Sequence, residues 1–495
     1  MPLSLLMGID LGTSGTKTVV LHPERGILGS AAREYALHTP RPGWAEQNPE
    51  AWYRAALETA GAALAQAGVA GEDIAAVAFS GQMHGMVCLD RYGQLLRPAI
   101  VWPDQRSQAQ VERVKREVGE KHLAEWTANP LATGFMLPSW LWLRENEPEV
   151  AEATRQLLLP KDYVRDRFTG AIGTEPSDAS STGLFDPKKV GWSETLLSAL
   201  HISPGLLPPV HASAGIAGGL LDEAAKASGL RPGTPVVYGG GDQACQALGN
   251  GVIDPGVASS TIGTGGQVLA PLLSPAYDPE LRLHLYCHAL PERWFRMAAI
   301  LSAGLSLRWL RDSLLVGLTY QQMADLAARV PPGAEGLFFL PYLAGERTPH
   351  MDPQASGGFV GLRLHHGRAH LVRAVMEGVV FALRQGLDLI LETGVPVDRV
   401  VASGGGTHHP LWLQLQADIF NRPIYHTFSE EAAALGAAIL AGIGIGVFPD
   451  AQMACKQVVQ LRKEVFMPDR ESVSRYQEVY ASYLKLYPRL KNLSP

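Results

Sequence analysis

Gly8-Ile9-Asp10-Leu11-Gly12-Thr13-Ser14-Gly15-Thr16-Lys17 ends one apolar run, which begins at Leu5, and opens another at Thr18–Leu21. Two short apolar runs around a Gly/Thr/Ser turn predict a β-hairpin. The Asp10 carboxylate falls at the end of the first strand. The turn behind it supplies backbone N–H groups and hydroxyls, the donors that cradle a phosphate beside an acid able to hold a hydrated cation. Gly12, Thr13 and Ser14 are therefore candidate phosphate-side residues, Lys17 either joins them or is a solvated strand residue, and Asp10 is the candidate metal ligand. The loop is not a Walker loop, which needs Gly immediately before the Lys where Thr16 stands. It is not a Rossmann fingerprint either, because the glycines are spaced GxxxGxxG and the acid precedes them. An ordinary hairpin turn also accounts for this loop taken alone.

Outward from the hairpin, Pro49–Ala67 carries apolar residues at helical spacing, Ile74–Ser80 is a short buried-strand run, and Val111–Val118 is a charged helix face. Proline-rich punctuation at Ser203–Val210 and Arg231–Pro235 precedes an apolar strand at Val236–Tyr238 and the triplet Gly239-Gly240-Gly241. The opening theme then returns as a strand-like run ending in Thr261-Ile262, followed by Gly263-Thr264-Gly265-Gly266. Paired with the first loop, Gly263, Thr264 and Gly265 suggest two opposed hairpins clasping one polyphosphate. Gly336–Tyr342 reads as a strand, His370–Thr393 as a long helix and Val400–Gly406 as a strand with glycines. Gly404, Gly405 and Gly406 lie between that strand and the helical Leu411–Phe420. They admit either a flat ligand such as a base or ribose, or close helix–strand packing. Two α/β halves result, with a boundary near residues 243–256.

Composition narrows the function classes. The 42 Lys and Arg against 48 Asp and Glu give a net charge of −6, which excludes the basic footprint of a dedicated nucleic-acid binder. With 46% hydrophobic and 18% charged residues the chain buries real cores and is not a disordered protein. Its 495 residues predict two or three domains. Cys88, Cys245, Cys287 and Cys455 form no CxxC pair, so neither a disulfide framework nor a structural zinc site is expected, in keeping with a reducing cytoplasm. Met1–Asp10 lacks a basic flank and a cleavage site and reads as a strand. Ala432–Phe448 is shorter than the ~20 residues that span a bilayer and reads as a buried helix with a Gly-rich turn, so no membrane partner is expected. His365-His366 and His408-His409 are neighbours whose side chains diverge, so neither pair is a natural bidentate metal site.

Taken together, these residues resemble the FGGY family of carbohydrate kinases from about Met7 to about Phe448. The most specific segment runs from Gly357 through Gly361-Leu362 and His370-Leu371 to Ala374-Val375-Met376-Glu377. Within the family, Ser80-Gly81-Gln82-Met83-His84-Gly85, Leu159-Pro160-Lys161-Asp162-Tyr163 and Gly345-Glu346-Arg347-Thr348-Pro349-His350 resemble the xylulokinase branch. The resemblance implies an α/β fold of two actin-like (ribonuclease H-like) ATPase domains flanking a deep catalytic cleft. It places an N-terminal unit at residues 1–245, a C-terminal unit at 246–450 and a helical extension at 451–495.

It also implies an activity, namely ATP- and Mg²⁺-dependent phosphorylation of a ketopentose, D-xylulose at its 5-hydroxyl, in the cytoplasm. Asp242, after Gly239–Gly241 and before Gln243, matches the family's catalytic base, and its alternative is the cap of a helix over Ala244–Leu248. Asp10 matches the acid that positions Mg²⁺. Met83 and His84 match a sugar-binding pair. Trp102 and Asp104 fall in a segment near the sugar cleft, where Asp104 and Arg106 bind hydroxyls or form an exposed ion pair. Gly404–Gly406 fall on the adenosine side. A homodimer is implied too, through Arg470–Leu486, unless that face packs on its own domain. Pro103, Met136, Ser139 and His409 stand where Asn, Thr, Lys and Ser are more usual, which bears on the sugar and leaves Asp10 and Asp242 intact. Ribulose or glycerol as acceptor is the nearer alternative. A non-catalytic actin-like filament or sugar-binding protein is the more distant one.

Overall fold

Leu5, Leu6, Met7, Ile9 and Leu11 are all buried, with no polar face between them, so the strand they form has to lie inside a sheet covered on both sides. The computed structural model describes residues 4–491 and places that strand, β1 (Leu5–Leu11), near the middle of a six-stranded sheet. Residues 1–3 and 492–495, the outer ends of the expected N-terminal unit and C-terminal extension, lie outside the described residues. The other strands are β2 (Gly15–His22), β3 (Gly26–Glu34), β4 (Ile74–Gly81), β5 (Ile216–Gly219) and β6 (Pro235–Gly241), in the order β5-β6-β4-β1-β2-β3. β1, β2 and β3 form an antiparallel meander, while β4 and β6 run parallel to β1.

A second six-stranded sheet repeats this plan. Its strands are β7 (Gly256–Ile262), β8 (Gly266–Leu272), β9 (His284–Cys287), β10 (Trp294–Ile300), β11 (Val397–Ser403) and β12 (Ile424–His426), ordered β9-β10-β8-β7-β11-β12. Again the first three long strands, β7, β8 and β10, are antiparallel neighbours, and two later strands, β11 and β12, join in parallel. Gly336–Tyr342 departs from expectation. Only Phe338–Leu340 is a strand, and it pairs with Gly358–Val360 in a separate two-stranded ribbon.

The helices that matter are α1 (Pro49–Ala67), α2 (Pro160–Thr169), α3 (Asp242–Gly249), α4 (Arg368–Glu392), α5 (Pro410–Phe420), α6 (Ala432–Gly444) and α7 (Arg470–Tyr483). Asn48 caps α1 through its side chain and Gly68 ends it in the left-handed conformation, as the sequence pattern requires. α6 belongs by sequence to the second half, yet it packs on β1 and β4 of the first sheet and crosses α3. The crossing depends on missing side chains, since a Cβ on Gly436 would sit 1.9 Å from the Cys245 carbonyl oxygen and one on Gly8 1.9 Å from that of Ala434. α7 turns Tyr476, Val479 and Tyr483 onto its own domain, where Tyr476 donates to Glu377 of α4 at 2.7 Å. The apolar stripe considered for a subunit contact is thus covered within the chain. All four cysteines are buried free thiols, and among the described residues no helix is long and apolar enough to cross a membrane.

Candidate active site

The parallel strands β1, β4 and β6 end side by side, with Asp10 opposite Ser80 and Ser80 opposite Gly240. Chemistry gathers at such carboxyl ends because the chain turns away there and leaves a crevice. Ser80 Oγ donates to Asp10 Oδ1 at 2.7 Å. One step beyond Gly241, Asp242 opens α3 as its first residue. The N-cap is Gly241, so the capping alternative does not describe Asp242. Burial, reinforced by the charge of Asp10, pushes Asp242 up to about 7, held back by hydrogen bonds from the Gln243 backbone and side chain. Burial also lifts Asp10 to about 6, against the Ser80 hydrogen bond and the Lys17 charge. Burial disfavours the charge of both carboxylates, and that of Asp10 adds to the effect at Asp242. The hard oxygen donors of Asp10 fit Mg²⁺, which takes one or two carboxylates and otherwise phosphates and water. Among the described residues no three His, Cys, Asp or Glu side chains are grouped to hold a metal.

A buried network fixes the backbone that carries Asp242. Gly241 N–H donates to Ser177 Oγ at 2.9 Å, Ser177 donates to Glu175, and Ser213 Oγ donates to the same carboxylate at 2.7 Å. Lys161, at the start of α2, lies 2.7 Å from Asp162, 3.4 Å from Glu175 and 3.3 Å from Asp178, all wholly buried. Burial works against the ammonium charge, but the three carboxylates outweigh it and hold the Lys161 pKa above its ordinary value. The Lys-Asp pair of the Leu159–Tyr163 segment is therefore a support under the strand end.

The two glycine loops are alike. Gly12 N–H donates to Gly15 O at 3.0 Å and Gly263 N–H to Gly265 O at 2.9 Å. Gly263, Thr264 and Ser14 are exposed, and Thr13 Oγ1 accepts from Trp102 Nε1 at 2.7 Å. Lys17 is an ion-pair partner of Glu431 at 2.9 Å, joining the first hairpin to the N-terminal end of α6. It also lines a cavity of about 340 Å³ with Ser403, Gly404, Gly405, Phe428 and Arg462. Gly406 faces elsewhere. A Cβ there would meet the Ile262 side chain at 2.8 Å, so close packing accounts for it, while Gly404 and Gly405 open on the cavity. His409 caps α5 by accepting from Leu411 N–H at 3.0 Å, the role a Ser would fill.

Met83 packs against the strand end that precedes Asp242, where a Cβ on Gly241 would be 3.0 Å from Met83 Cγ, and His84 follows it in the chain. His84 Nδ1–H donates to Ser181 O at 2.7 Å, and burial together with the Arg347 charge pushes the imidazole down to about 3. The ring is therefore neutral, and its Nε2 is a free acceptor. It stacks on Phe135 at 4.1 Å, while His284 stacks on Tyr286 at 5.3 Å and Tyr286 reaches His84 at 6.1 Å. Trp102 belongs to this wall. The aromatic box thus straddles the seam between the halves, where Asn129 exchanges hydrogen bonds with the Leu285 backbone at 2.7 and 2.9 Å.

Asp104 is a correction to the sequence reading. Its carboxylate is fully buried and taken up by the Ala45 N–H at 2.6 Å, the Arg106 N–H at 2.9 Å and the Arg106 guanidinium at 2.8 Å. Arg106 in turn lies 3.7 Å from the Trp44 ring centroid. The pair is structural and buried, with no lone pair turned to a sugar. Gln243, expected from the family resemblance to be substrate-binding, hydrogen-bonds Asp242 through its backbone and side chain. Sequence reasoning missed Ser80, Phe135, His284, Tyr286, Phe428 and Arg462. Ser80 had a signal, its place at a strand end beside a catalytic motif. The aromatic residues had none, because nothing local to residues 135 and 286 says that they meet.

Comparison with known proteins agrees with this geometry. The chain matches the FGGY family of carbohydrate kinases twice, the N-terminal domain over residues 5–249 and the C-terminal domain over residues 258–445. It is 37% identical over 489 residues to a xylulose kinase of Bacillus subtilis, covering 99% of this chain and 98% of that one. It superposes on a ligand-bound xylulose kinase from Lactobacillus acidophilus with a TM-score of 0.93 at 28% identity, covering 99% of each. A gluconate kinase from that organism gives the same 0.93 at 27% identity, covering 99% of this chain and 98% of the other. Backbone shape thus marks the family and leaves the acceptor to the side chains.

Proposed function

The chain belongs to the FGGY family of carbohydrate kinases and is an ATP-dependent sugar kinase, and from that premise we propose that its acceptor is D-xylulose, phosphorylated at the 5-hydroxyl. The observation that carries the chemistry is Asp242, a recessed carboxylate lifted to about 7 at the tip of a glycine strand, facing Asp10. A base poised near neutrality takes a hydroxyl proton without holding it too weakly or too tightly. The full-length similarity to xylulose kinases supports the choice of sugar.

In this reading Met83 and the stacked rings give the sugar an apolar wall, and His84 Nε2 accepts from one of its hydroxyls. Asp242 accepts the proton of the attacking hydroxyl, held in place by Gln243 and by the Ser177–Glu175 network behind Gly241. The loops at Gly12–Gly15 and Gly263–Gly265 face the phosphates with the N–H groups that their own turns leave unused, with the nucleoside toward Gly404, Gly405 and the cavity beside Phe428. Asp10 is the residue that would hold Mg²⁺, whose charge, when bound, neutralises the phosphate oxygens during transfer. Closure of the seam keeps water from competing with the sugar.

ADP release measured over a panel of D-xylulose, D-ribulose, glycerol and D-gluconate tests the assignment. D-xylulose is expected to give the highest kcat/KM, and a preference for any other member rejects it. In the same assay Asp242→Ala is expected to lose about 10³-fold or more of sugar-dependent turnover while still binding nucleotide.

A further inference from the structure

Arg347 carries a guanidinium that no described residue pairs, although Tyr286 and Glu346 partly offset the cost of its burial. Among the described residues its side chain makes no hydrogen bond and no ion pair, although it is half-buried and burial draws its pKa down. None of its nitrogens is sealed from solvent, so its donors stay open to a ligand that enters beside them. Its carbon lies 6.0 Å from the Trp102 ring centroid and 5.9 Å from that of Phe135, two walls of the aromatic box. Its charge is what, after burial, holds His84 and His284 neutral. The backbone that presents it is fixed to the second sheet. Glu346 Oε1 accepts from Leu301 N–H at 3.0 Å and from Arg347 N–H at 2.8 Å, and Thr348 N–H donates to Ala299 O at 3.0 Å.

Donors and acceptors in the box are otherwise one-sided. His84 Nε2 and the Asp242 carboxylate accept, Met83 and Phe135 are apolar, and the Tyr286–His284 pair, joined by one hydrogen bond at 2.9 Å, leaves a single neutral donor on the far side of the box. A hydroxyl can donate to these acceptors, whereas a carbonyl or ring oxygen can only accept and needs a donor. We propose that Arg347 donates to the carbonyl-derived oxygen of the acceptor sugar, and so makes the site prefer ketoses over the corresponding polyols. The inference rests on the ketopentose reading above and adds to it a specificity-determining residue from the opposite half of the molecule. Since Arg347 moves with the second sheet and His84 with the first half, the sugar ties the two together when both contacts form.

Arg347→Met covers the same rings without a donor, and Arg347→Lys retains the charge with a different geometry. Steady-state kinetics with D-xylulose and with xylitol, each at varied ATP, read the effect, with melting curves confirming that both variants fold. In Arg347→Met the KM for D-xylulose is expected to rise about 10- to 100-fold with the KM for ATP unchanged. The ketose-to-polyol ratio of kcat/KM is expected to collapse towards one, and Arg347→Lys to recover part of it. An unchanged ratio in Arg347→Met overturns the inference, as does an equal loss for both acceptors. If the wild-type chain prefers another sugar, the acceptor assignment fails on that result alone, and the same comparison is then made with that sugar and its reduced form. A wild-type chain that favours a polyol overturns the role of Arg347 directly.

Discussion

At the level of the residue, the two facing carboxylates connect activity to stability. Asp242 and Asp10 stand near 7 and 6 in the folded chain, against 3.8 when unperturbed. Between these values the folded chain holds protons that the unfolded chain has released, so stability falls as the pH rises through the window. The cost is absent below about pH 4 and complete above about pH 8. Asp242→Asn keeps the shape and removes one charge. Its melting temperature is expected to exceed that of the native chain by a few degrees at about pH 8 and to match it near pH 4. Melts at the two pH values decide the point, because an equal gain at both would owe nothing to charge. In the native chain, kcat/KM for the sugar is expected to climb as the pH passes upward through about 7, since only the unprotonated Asp242 can accept the proton.

Among the elements, α6 has the least forgiving surroundings. The Gly436 face meets the α3 backbone at Cys245, and backbone cannot swing aside as a side chain can. Gly436→Ala is expected to destabilise the chain by about 3 kcal/mol or more, measured by urea unfolding, despite the better helix propensity of Ala. A neutral or stabilising outcome would mean that the crossing is looser than the structure shows. This element also marks where reading the sequence stops. α1, α4, α5 and both hairpins were legible because their apolar spacing has a period and their ends carry turn residues, Asn48 and Gly68 among them. α6 is apolar all round, so the sequence reveals that it is buried without revealing against what. Asp104 misled for a related reason. The pairing with Arg106 was one of the two readings the sequence offered, but Ala45, which donates to Asp104, and the Trp44 ring over the guanidinium, which bury the pair, are remote in sequence. Asp10 was singled out from the turn behind it and Asp242 through the family resemblance, while Phe135, His284 and Tyr286 meet only through the tertiary fold.

For the molecule as a whole, the contact that matters beside the Gly404–Gly405 cavity is the Lys17–Glu431 ion pair between the two halves. Lys17 is 45% exposed, so the pair contributes little to stability. Lys17→Met is therefore expected to unfold within about 1 kcal/mol of the native chain. Because Lys17 also lines the cavity with Gly404 and Gly405, the KM for ATP is expected to rise several-fold while that for the sugar stays fixed. A sugar KM that moves equally would assign the residue to closure as a whole. The placement of α6 has a further consequence, for the order in which the chain is made. The face of β1 and β4 that α6 covers consists of the earliest residues to leave the ribosome, and residues 432–444 follow only near the end of synthesis. The first sheet therefore emerges with one apolar side bare and waits for almost the whole chain before it can close, the interval in which a nascent polypeptide depends most on a chaperone.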